Sequence, residues 1–254
     1  MKWKITYRSR IVKHALFFLS FILILSCKKD NEDQLSIENN HPDSMVNSNQ
    51  ADTGEITYLA LGDSYTIGES VDVADRFSVQ LVTILRNDQI KIDTPDIVAV
   101  TGWTTGNLLN ALNSNPPKNN YSFVTLLIGV NNQYQGRSLD EYKTEFNQLL
   151  SLAIACAGNK KDHVFVLSIP DYSVTPFGNN VDQEKTAQEI DQFNEANHLI
   201  SQNAGVNYVD ITPISREAKN DPSLIARDGL HPSSAQYLKW DQLLAPLVLN
   251  VIKK

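Results

Sequence analysis

One stretch of the chain, Ile56-Thr57-Tyr58-Leu59-Ala60-Leu61-Gly62-Asp63-Ser64-Tyr65, is typical of a strand that runs into a sharp turn. The turn carries Ser64. Serine is a weak nucleophile near neutral pH unless a base takes its proton as it attacks. Far downstream, Asp228-Gly229-Leu230-His231 places an acid and a base three residues apart. Together these two stretches predict a serine nucleophile with a base and an orienting acid.

Apolar runs of the strand type alternate with helical periods along the rest of the chain. This alternation predicts parallel pairing through right-handed crossovers, and therefore a three-layer α/β/α sandwich with about five parallel strands. The predicted strands are 55–61, 96–100, 122–128, 163–169 and 207–210. The predicted helices are 76–86, 105–112, 139–157, 183–203 and 233–252, the last with a kink at Pro246.

Candidate functional residues follow several of these strands. Ser64 follows the first strand, Gly102 the second, and the segment 129–132 (Gly-Val-Asn-Asn) the third, while Asp228 and His231 precede the last helix. Ligands of open parallel sheets bind beyond the carboxyl ends of the strands. We therefore expect all of these residues to meet at one edge of the sheet.

The four blocks, in this order, resemble those of the SGNH (GDSL-type) hydrolase family over roughly residues 55–251. Tyr65 stands where the name-giving leucine would be, and Asn132 stands where the family usually has aspartate. The resemblance implies a flavodoxin-like SGNH-hydrolase fold and a serine esterase activity. It implies that Ser64 is the nucleophile, His231 the base and Asp228 the orienting acid.

The same resemblance implies an oxyanion hole formed by the backbone N–H groups of Ser64 and Gly102 and by the side-chain amide of Asn131. It implies no cofactor and no metal, because serine acyl transfer supplies its own nucleophile. The expected partner at this site is a small-molecule or glycan ester substrate.

Several residues have alternative interpretations. Asp63 would more readily brace the turn than take part in catalysis, and Asn132 would form structural hydrogen bonds. Asp210 could replace Asp228, and His163 and His198 compete with His231 for the role of base. The remaining candidates could line the pocket or serve as ordinary packing residues: Tyr65, Trp103, Gln133 and Tyr134.

The first 26 residues have the features of a lipoprotein signal peptide. A basic start precedes the apolar run 15–25, which is shorter than the roughly 20 residues of a spanning helix. Ser26-Cys27 resembles a bacterial lipobox, so Cys27 is the expected lipidation site and the attachment to a membrane. A plain signal peptide or an uncleaved anchor is the alternative.

Residues 27–54 are polar and lack aromatic residues, which predicts a disordered tether before a single domain at 55–254. A lipid anchor implies the bacterial cell envelope and the outer membrane. The charged cluster 28–33 resembles signals for export to the cell surface, although it would serve equally as a solvated linker.

Charge and cysteine content argue against a nucleic-acid-binding protein and against a disulfide-stabilised protein. The net charge of −7 and the lack of a basic stripe argue against nucleic-acid binding. Cys156 lies in an apolar helical stretch, so we expect a buried thiol and no disulfide framework. The sequence does not specify an oligomeric state.

The favoured function is an extracytoplasmic serine esterase acting on short-chain or carbohydrate O-acetyl esters. A lysophospholipase or lipase, or a thioesterase, is the first alternative. A tethered glycan-binding module without catalytic activity is the second.

Overall fold

A computed structural model describes residues 55–253 of the chain. The predicted signal peptide, the lipidation site Cys27 and the tether lie outside the described residues. Five parallel strands form one sheet in the order β2-β1-β3-β4-β5. The strands are β1 (Tyr58–Gly62), β2 (Asp96–Ala99), β3 (Phe123–Leu127), β4 (Val164–Leu167) and β5 (Asn207–Val209).

Helices connect the strands, as right-handed crossovers of a parallel sheet require. The long helices are α2 (Phe77–Asn87), α3 (Thr105–Ser114), α5 (Leu139–Cys156), α6 (Gln183–Ala204) and α8 (Ser234–Ile252). Helices α2 and α8 pack together, and α5 packs between α3 and α6. Short helices complete the domain: α1 (Ser64–Ile67), α4 (Val130–Tyr134) and α7 (Thr212–Glu217). The three-layer α/β/α architecture predicted from the sequence is confirmed.

The sheet forms the centre of the core. Strands β1, β3 and β4 are buried along their whole length, which explains why their sequences are continuous apolar runs. Aromatic side chains cover the sheet, and each fully buried one contributes roughly 1.5–3 kcal/mol of hydrophobic free energy. Fully buried examples are Tyr58, Phe77, Phe123, Tyr142, Phe146, Phe165, Tyr237 and Trp240.

The structure corrects the predicted elements in detail. Strand β1 begins at Tyr58 rather than Glu55, because Ile56 instead forms an isolated bridge with Ile92. The short helices α1 and α4 were not predicted, because four or five residues are too few to show a helical period. Helix α8 continues as one element through Pro246.

The sequence predicts that the segments 170–180 and 212–227 are long loops that shape the pocket. Both segments contain short helices. The first holds the 3₁₀ helices Tyr172–Val174 and Phe177–Asn180, and the second holds α7 and the 3₁₀ helix Pro222–Leu224. Cys156 is buried as predicted. Between residues 55 and 253, no helix combines the length and the apolar character that crossing a bilayer requires.

Candidate active site

The turn after β1, the loops after β2 and β3, and the segment before α8 meet at one pocket at the carboxyl edge of the sheet. The pocket has a volume of about 150 Å³. Four of the five predicted site residues line it, and the fifth, Asp228, lies directly behind His231. The lining residues are Ser64, Tyr65, Thr101, Gly102, Val130, Asn131, Tyr134, Tyr172, Phe177, Leu230 and His231.

The nucleophile turn owes its shape to Gly62 and Asp63. A Cβ atom on Gly62 would lie 2.3 Å from the carbonyl oxygen of Leu127, so only glycine lets β1 end this close to β3. Asp63 caps α1, since its Oδ1 accepts a hydrogen bond of 3.0 Å from the N–H of Tyr65. Ser64 is therefore the first residue of α1. Asp63 braces the turn, in agreement with the interpretation of the sequence.

Asp63 is buried, and this burial has an electrostatic consequence. Desolvation raises the pKa of the Asp63 carboxyl from 3.8 to about 7, although the hydrogen bond from the Tyr65 N–H acts in the opposite direction. The carboxyl group of Asp63, which directly precedes Ser64, therefore changes its protonation state near neutral pH.

Asp228 and His231 form a hydrogen-bonded pair. His231 Nδ1 lies 2.6 Å from Asp228 Oδ2, while Asp228 Oδ1 accepts 3.0 Å hydrogen bonds from the N–H groups of Leu230 and His231. Partial burial raises the pKa of Asp228, but these bonds and one from Ser70 outweigh it and lower the pKa to about 2. Asp228 is therefore a carboxylate at neutral pH.

The ring of Tyr65 packs against the imidazole of His231. The two ring centres lie 5.3 Å apart at an angle of 60°, and the Tyr237 hydroxyl fixes the carbonyl of Tyr65 at 3.0 Å. Ser64 and His231 line the same pocket, and the hydrogen bonds within residues 55–253 include none between their side chains. Catalytic hydrogen bonds commonly tighten only when substrate is bound.

Gly102 and Asn131 occupy the wall of the pocket beside Ser64. Gly102 has φ of +84°, and a Cβ there would meet no atom within 4 Å, so backbone conformation rather than packing requires glycine. The Asn131 amide donates a 3.0 Å hydrogen bond to the carbonyl oxygen of Trp103, which follows Gly102. This bond joins α4, which follows β3, to the loop after β2. The predicted oxyanion donors are thus brought together.

Asn132 points away from the pocket into a buried network. Its amide nitrogen donates to Thr105 Oγ1 at 2.6 Å, and its oxygen accepts from the Thr105 N–H at 2.9 Å. The Thr105 hydroxyl in turn donates to Glu145 Oε2 at 2.5 Å. Asn132 is fully buried and joins the start of α3 to α4. Its role is structural, as the sequence suggested.

The alternative candidates for the base and for the orienting acid lie outside the pocket. His163 precedes β4, at the amino edge of the sheet, and its Nδ1 lies 2.5 Å from the carbonyl oxygen of Ser122. His198 of α6 stacks on Tyr208 of β5. Asp210 accepts hydrogen bonds from the Ser168 hydroxyl and from the N–H of Thr212. All three lie outside the lining of the pocket.

The outer wall of the pocket is aromatic. Tyr134 is 55% exposed and packs against Tyr172 and Phe177, with ring centres 6.1 and 5.9 Å apart. The segment 170–180 thus shapes the pocket as predicted, whereas the residues of 212–227 do not line it. Gln133 is a packing residue that accepts from the Tyr172 hydroxyl at 2.9 Å.

Some lining residues were not identified from the sequence, because no motif marks them. Val130 lies within the predicted block 129–132 and Thr101 directly precedes Gly102, so both adjoin predicted site residues. Tyr172 and Phe177 come from a segment whose fold is not periodic.

Comparisons with known proteins agree with this geometry. The model of the GDSL-like lipase/acylhydrolase family matches residues 60–239. No curated protein matches the chain. The solved structure of TesA superposes with a TM-score of 0.60 at 15% identity, over 77% of this chain and 99% of TesA.

Two further solved structures have the same fold. The lipase/acylhydrolase from Enterococcus faecalis has a TM-score of 0.60 at 16% identity, over 77% of this chain and 96% of its own. Axe2, an acetylxylan esterase from Geobacillus stearothermophilus, has a TM-score of 0.55 at 19% identity, over 78% of this chain and 94% of its own.

At these identities the structural likeness shows the fold alone. The family model adds the sequence evidence, since it spans most of the chain and includes Ser64, Gly102, Asn131, Asp228 and His231. The chain therefore belongs to the GDSL-like lipase/acylhydrolase family of ester hydrolases.

Proposed function

We propose that this protein is an extracytoplasmic serine esterase that removes short acyl groups, in particular O-acetyl groups of carbohydrates. The observation that carries the proposal is the 2.6 Å pair of His231 Nδ1 and Asp228 Oδ2 in the pocket that also holds Ser64. Such a pair leaves Nε2 of the imidazole to take the proton of a serine hydroxyl.

In the proposed reaction, Ser64 Oγ forms a bond to the ester carbonyl carbon as its proton passes to His231 Nε2. The negative oxygen of the tetrahedral intermediate accepts hydrogen bonds from the backbone N–H groups of Ser64 and Gly102 and from the Asn131 amide. The intermediate collapses, the bond to the alcohol breaks, and His231 returns the proton to the alcohol. Water then attacks the acyl-serine by the same route and releases the carboxylic acid.

Asp228 supports these steps as a charged group. Its lowered pKa of about 2 keeps it ionised across the physiological range. An ionised carboxylate against Nδ1 holds the imidazole in the tautomer that presents Nε2 as an acceptor, and it stabilises the imidazolium after proton transfer.

The size of the pocket supports a small acyl group. Its volume of about 150 Å³ is below the range of roughly 300–1,000 Å³ that small-molecule sites usually have. The exposed ring of Tyr134 at the mouth offers an apolar face to the alcohol portion of the ester, which suits a sugar ring. Axe2, one of the proteins with this fold, is an acetylxylan esterase.

The proposed location is the bacterial cell envelope, where a lipid anchor attaches the chain to the outer membrane. Its support is the sequence alone: a signal-like start, the lipobox-like Cys27 and a polar tether of residues 27–54. Two or three acyl chains would hold the protein stably, since one chain binds a membrane only marginally.

The first experiment measures hydrolysis of p-nitrophenyl acetate by the full chain in detergent, with Ser64→Ala beside the wild type. We expect turnover in the wild type and a loss of three or more orders of magnitude in the variant, on the order of what nucleophile removal costs other serine hydrolases. Ser151→Ala, which changes an exposed serine on α5, is the matched control. Equal turnover in Ser64→Ala would overturn the proposal.

A second series separates the candidate substrates. Turnover should fall from p-nitrophenyl acetate to the laurate ester, and the enzyme should release acetate from acetylated xylo-oligosaccharides. Preference for the laurate ester or for lysophosphatidylcholine would favour a lysophospholipase, and preference for acyl thioesters a thioesterase. Glycan binding with no release of acid would favour a binding module.

A further inference from the structure

The chain after the nucleophile helix forms a turn at residues 68–70 that returns toward the pocket. The N–H groups of Gly68 and Glu69 both donate 3.0 Å hydrogen bonds to the carbonyl oxygen of Ser64. Ser70 follows with φ of +65°, in the left-handed region. That conformation costs a residue with a side chain about 1–2 kcal/mol, and glycine is the usual occupant. A serine at this position therefore needs a compensating contact.

The compensating contact is with the acid of the site. Ser70 Oγ donates a 2.8 Å hydrogen bond to Asp228 Oδ2, across 158 positions of sequence. This is the same oxygen that faces His231 Nδ1 at 2.6 Å. The other oxygen, Oδ1, is held by the backbone N–H groups of Leu230 and His231. Ser70 thus reaches Asp228 from outside the segment that carries Asp228 and His231.

The neighbouring residue links the turn to a second part of the site. Glu69 Oε2 accepts a 2.5 Å hydrogen bond from Thr101 Oγ1, and Thr101 directly precedes Gly102. The turn 68–70 therefore contacts the backbone of the nucleophile, the loop of a proposed oxyanion donor and the acid behind the base. Its position is fixed from three sides, so Ser70 presents its hydroxyl to Asp228 from a well-defined place.

We propose that Ser70 is a positioning residue for the reaction, because it adds a third member to the hydrogen-bonded pair of Asp228 and His231. The inference rests on the proposed function. Ser70 fixes the plane of the Asp228 carboxylate, so that Oδ2 stays aimed at Nδ1 while the imidazole gains and loses its proton. Two donors on one oxygen share its charge, and both bonds are charge-assisted.

The test uses the full chain in detergent with p-nitrophenyl acetate as the probe. Ser70→Gly removes the hydroxyl and suits a positive φ, so we expect a folded variant with kcat lower on the order of tenfold and KM unchanged. Ser70→Asn keeps a donor and tolerates the left-handed region, so it should recover much of kcat. Gln89→Gly is the matched control, because Gln89 has φ of +64° and lies in the turn after α2.

A spectroscopic measurement decides the inference independently of turnover. The Nδ1 proton of His231, shared with Asp228, gives a downfield proton NMR signal whose position reports on the Asp228–His231 hydrogen bond. Ser70→Gly should move or broaden this signal, and Gln89→Gly should leave it in place. An unchanged signal together with unchanged kcat in Ser70→Gly would overturn the inference. An inactive wild type whose signal still responds to Ser70→Gly would contradict the proposed function, while it would support the part of the inference in which Ser70 holds Asp228 against His231.

Discussion

Asn131 and Asn132 are adjacent in the sequence, yet their side chains lie in different surroundings. Asn131 is half-buried at the wall of the pocket, whereas Asn132 is fully buried in the network with Thr105 and Glu145. Two identical side chains therefore allow a direct comparison of a proposed catalytic role with a structural one.

Asn131→Ala removes a proposed oxyanion donor and leaves the buried network intact. We expect kcat for p-nitrophenyl acetate to fall about 10²–10³-fold with little change in KM, because the interaction forms only as the oxyanion develops. Steady-state kinetics measure both constants, and the urea midpoint shows whether the fold is retained. A loss of kcat smaller than tenfold would contradict the oxyanion role.

Asn132→Asp tests why this chain departs from the aspartate that is usual in the family. The Thr105 hydroxyl donates its one proton to Glu145, so it can only accept from residue 132. Aspartate offers no donor when ionised, and it would place a second carboxylate at the same hydroxyl. We expect a loss of about 2 kcal/mol in the free energy of unfolding, measured by urea denaturation.

Glu145→Gln supplies the control for that substitution. A glutamine amide can donate to Thr105 Oγ1, which frees the hydroxyl to donate to an aspartate at 132. The double variant should therefore recover about 1–2 kcal/mol relative to the sum of the single changes. Additive losses would show that the pairing of Asn132 with Glu145 through Thr105 is not the reason for the asparagine.

At the level of single residues, the sequence predicted which residues meet at the pocket and missed the residues that support them. Ser64, Gly102, Asn131, Asp228 and His231 lie in recognisable blocks at the ends of elements. Their supporting contacts come from far along the chain and are fixed only by the fold. Ser70 and Glu145 are examples, and no local pattern marks either of them.

At the level of elements, helix α8, which packs on α2, carries a buried acid. Asp241 on α8 is fully buried, and neither of its oxygens has a hydrogen-bond partner within residues 55–253. Burial raises the pKa of Asp241 well above its ordinary value of 3.8. The folded state thus keeps a proton that the unfolded chain releases above about pH 4.

Asp241→Asn should therefore stabilise the protein at neutral pH. Because the folded pKa is raised, the wild type has its full stability below the unfolded pKa and loses stability as pH rises toward the folded pKa. We expect the variant to be more stable by at least about 1 kcal/mol at pH 7, with the difference shrinking toward pH 4. Urea unfolding across this range measures it. Asp63, whose pKa is also raised, is present in both proteins and cancels in the difference.

A stability difference between the Asp241→Asn variant and the wild type that stays constant with pH would show that Asp241 does not remain protonated in the folded state.

The sequence could not predict that Asp241 is buried, because the apolar residues of 233–252 indicate a buried helix face without showing which polar residue lies on it. The long helices and strands were predictable from their periods. The short helices α1, α4 and α7 were not, because local capping and tertiary contacts decide them.

At the level of the whole molecule, the order of strands and helices predicted the layers, the parallel sheet and the edge at which the site lies. The layers and the parallel sheet follow from the right-handed crossover connections between strands. The edge follows from the site residues, which come directly after the carboxyl ends of strands. The shape of the pocket does not follow from them, because Tyr172 and Phe177 reach it from an irregular segment.

The proposed attachment to the membrane is also a property of the whole chain, and Cys27→Ser tests it. In a bacterium that processes lipoproteins, the wild-type chain should incorporate labelled palmitate and sediment with membranes, since its acyl chains supply the hydrophobic attachment. Cys27→Ser should lose the label. The second cysteine, Cys156, is buried in the last turn of α5, so Cys156→Ser should keep the label and serves as the control. Retention of palmitate in Cys27→Ser would contradict lipidation at this residue. Because the residues that line the pocket all lie between Ser64 and His231, the acylated chain released from membranes by detergent should hydrolyse p-nitrophenyl acetate as fast as an unlipidated chain lacking residues 1–27.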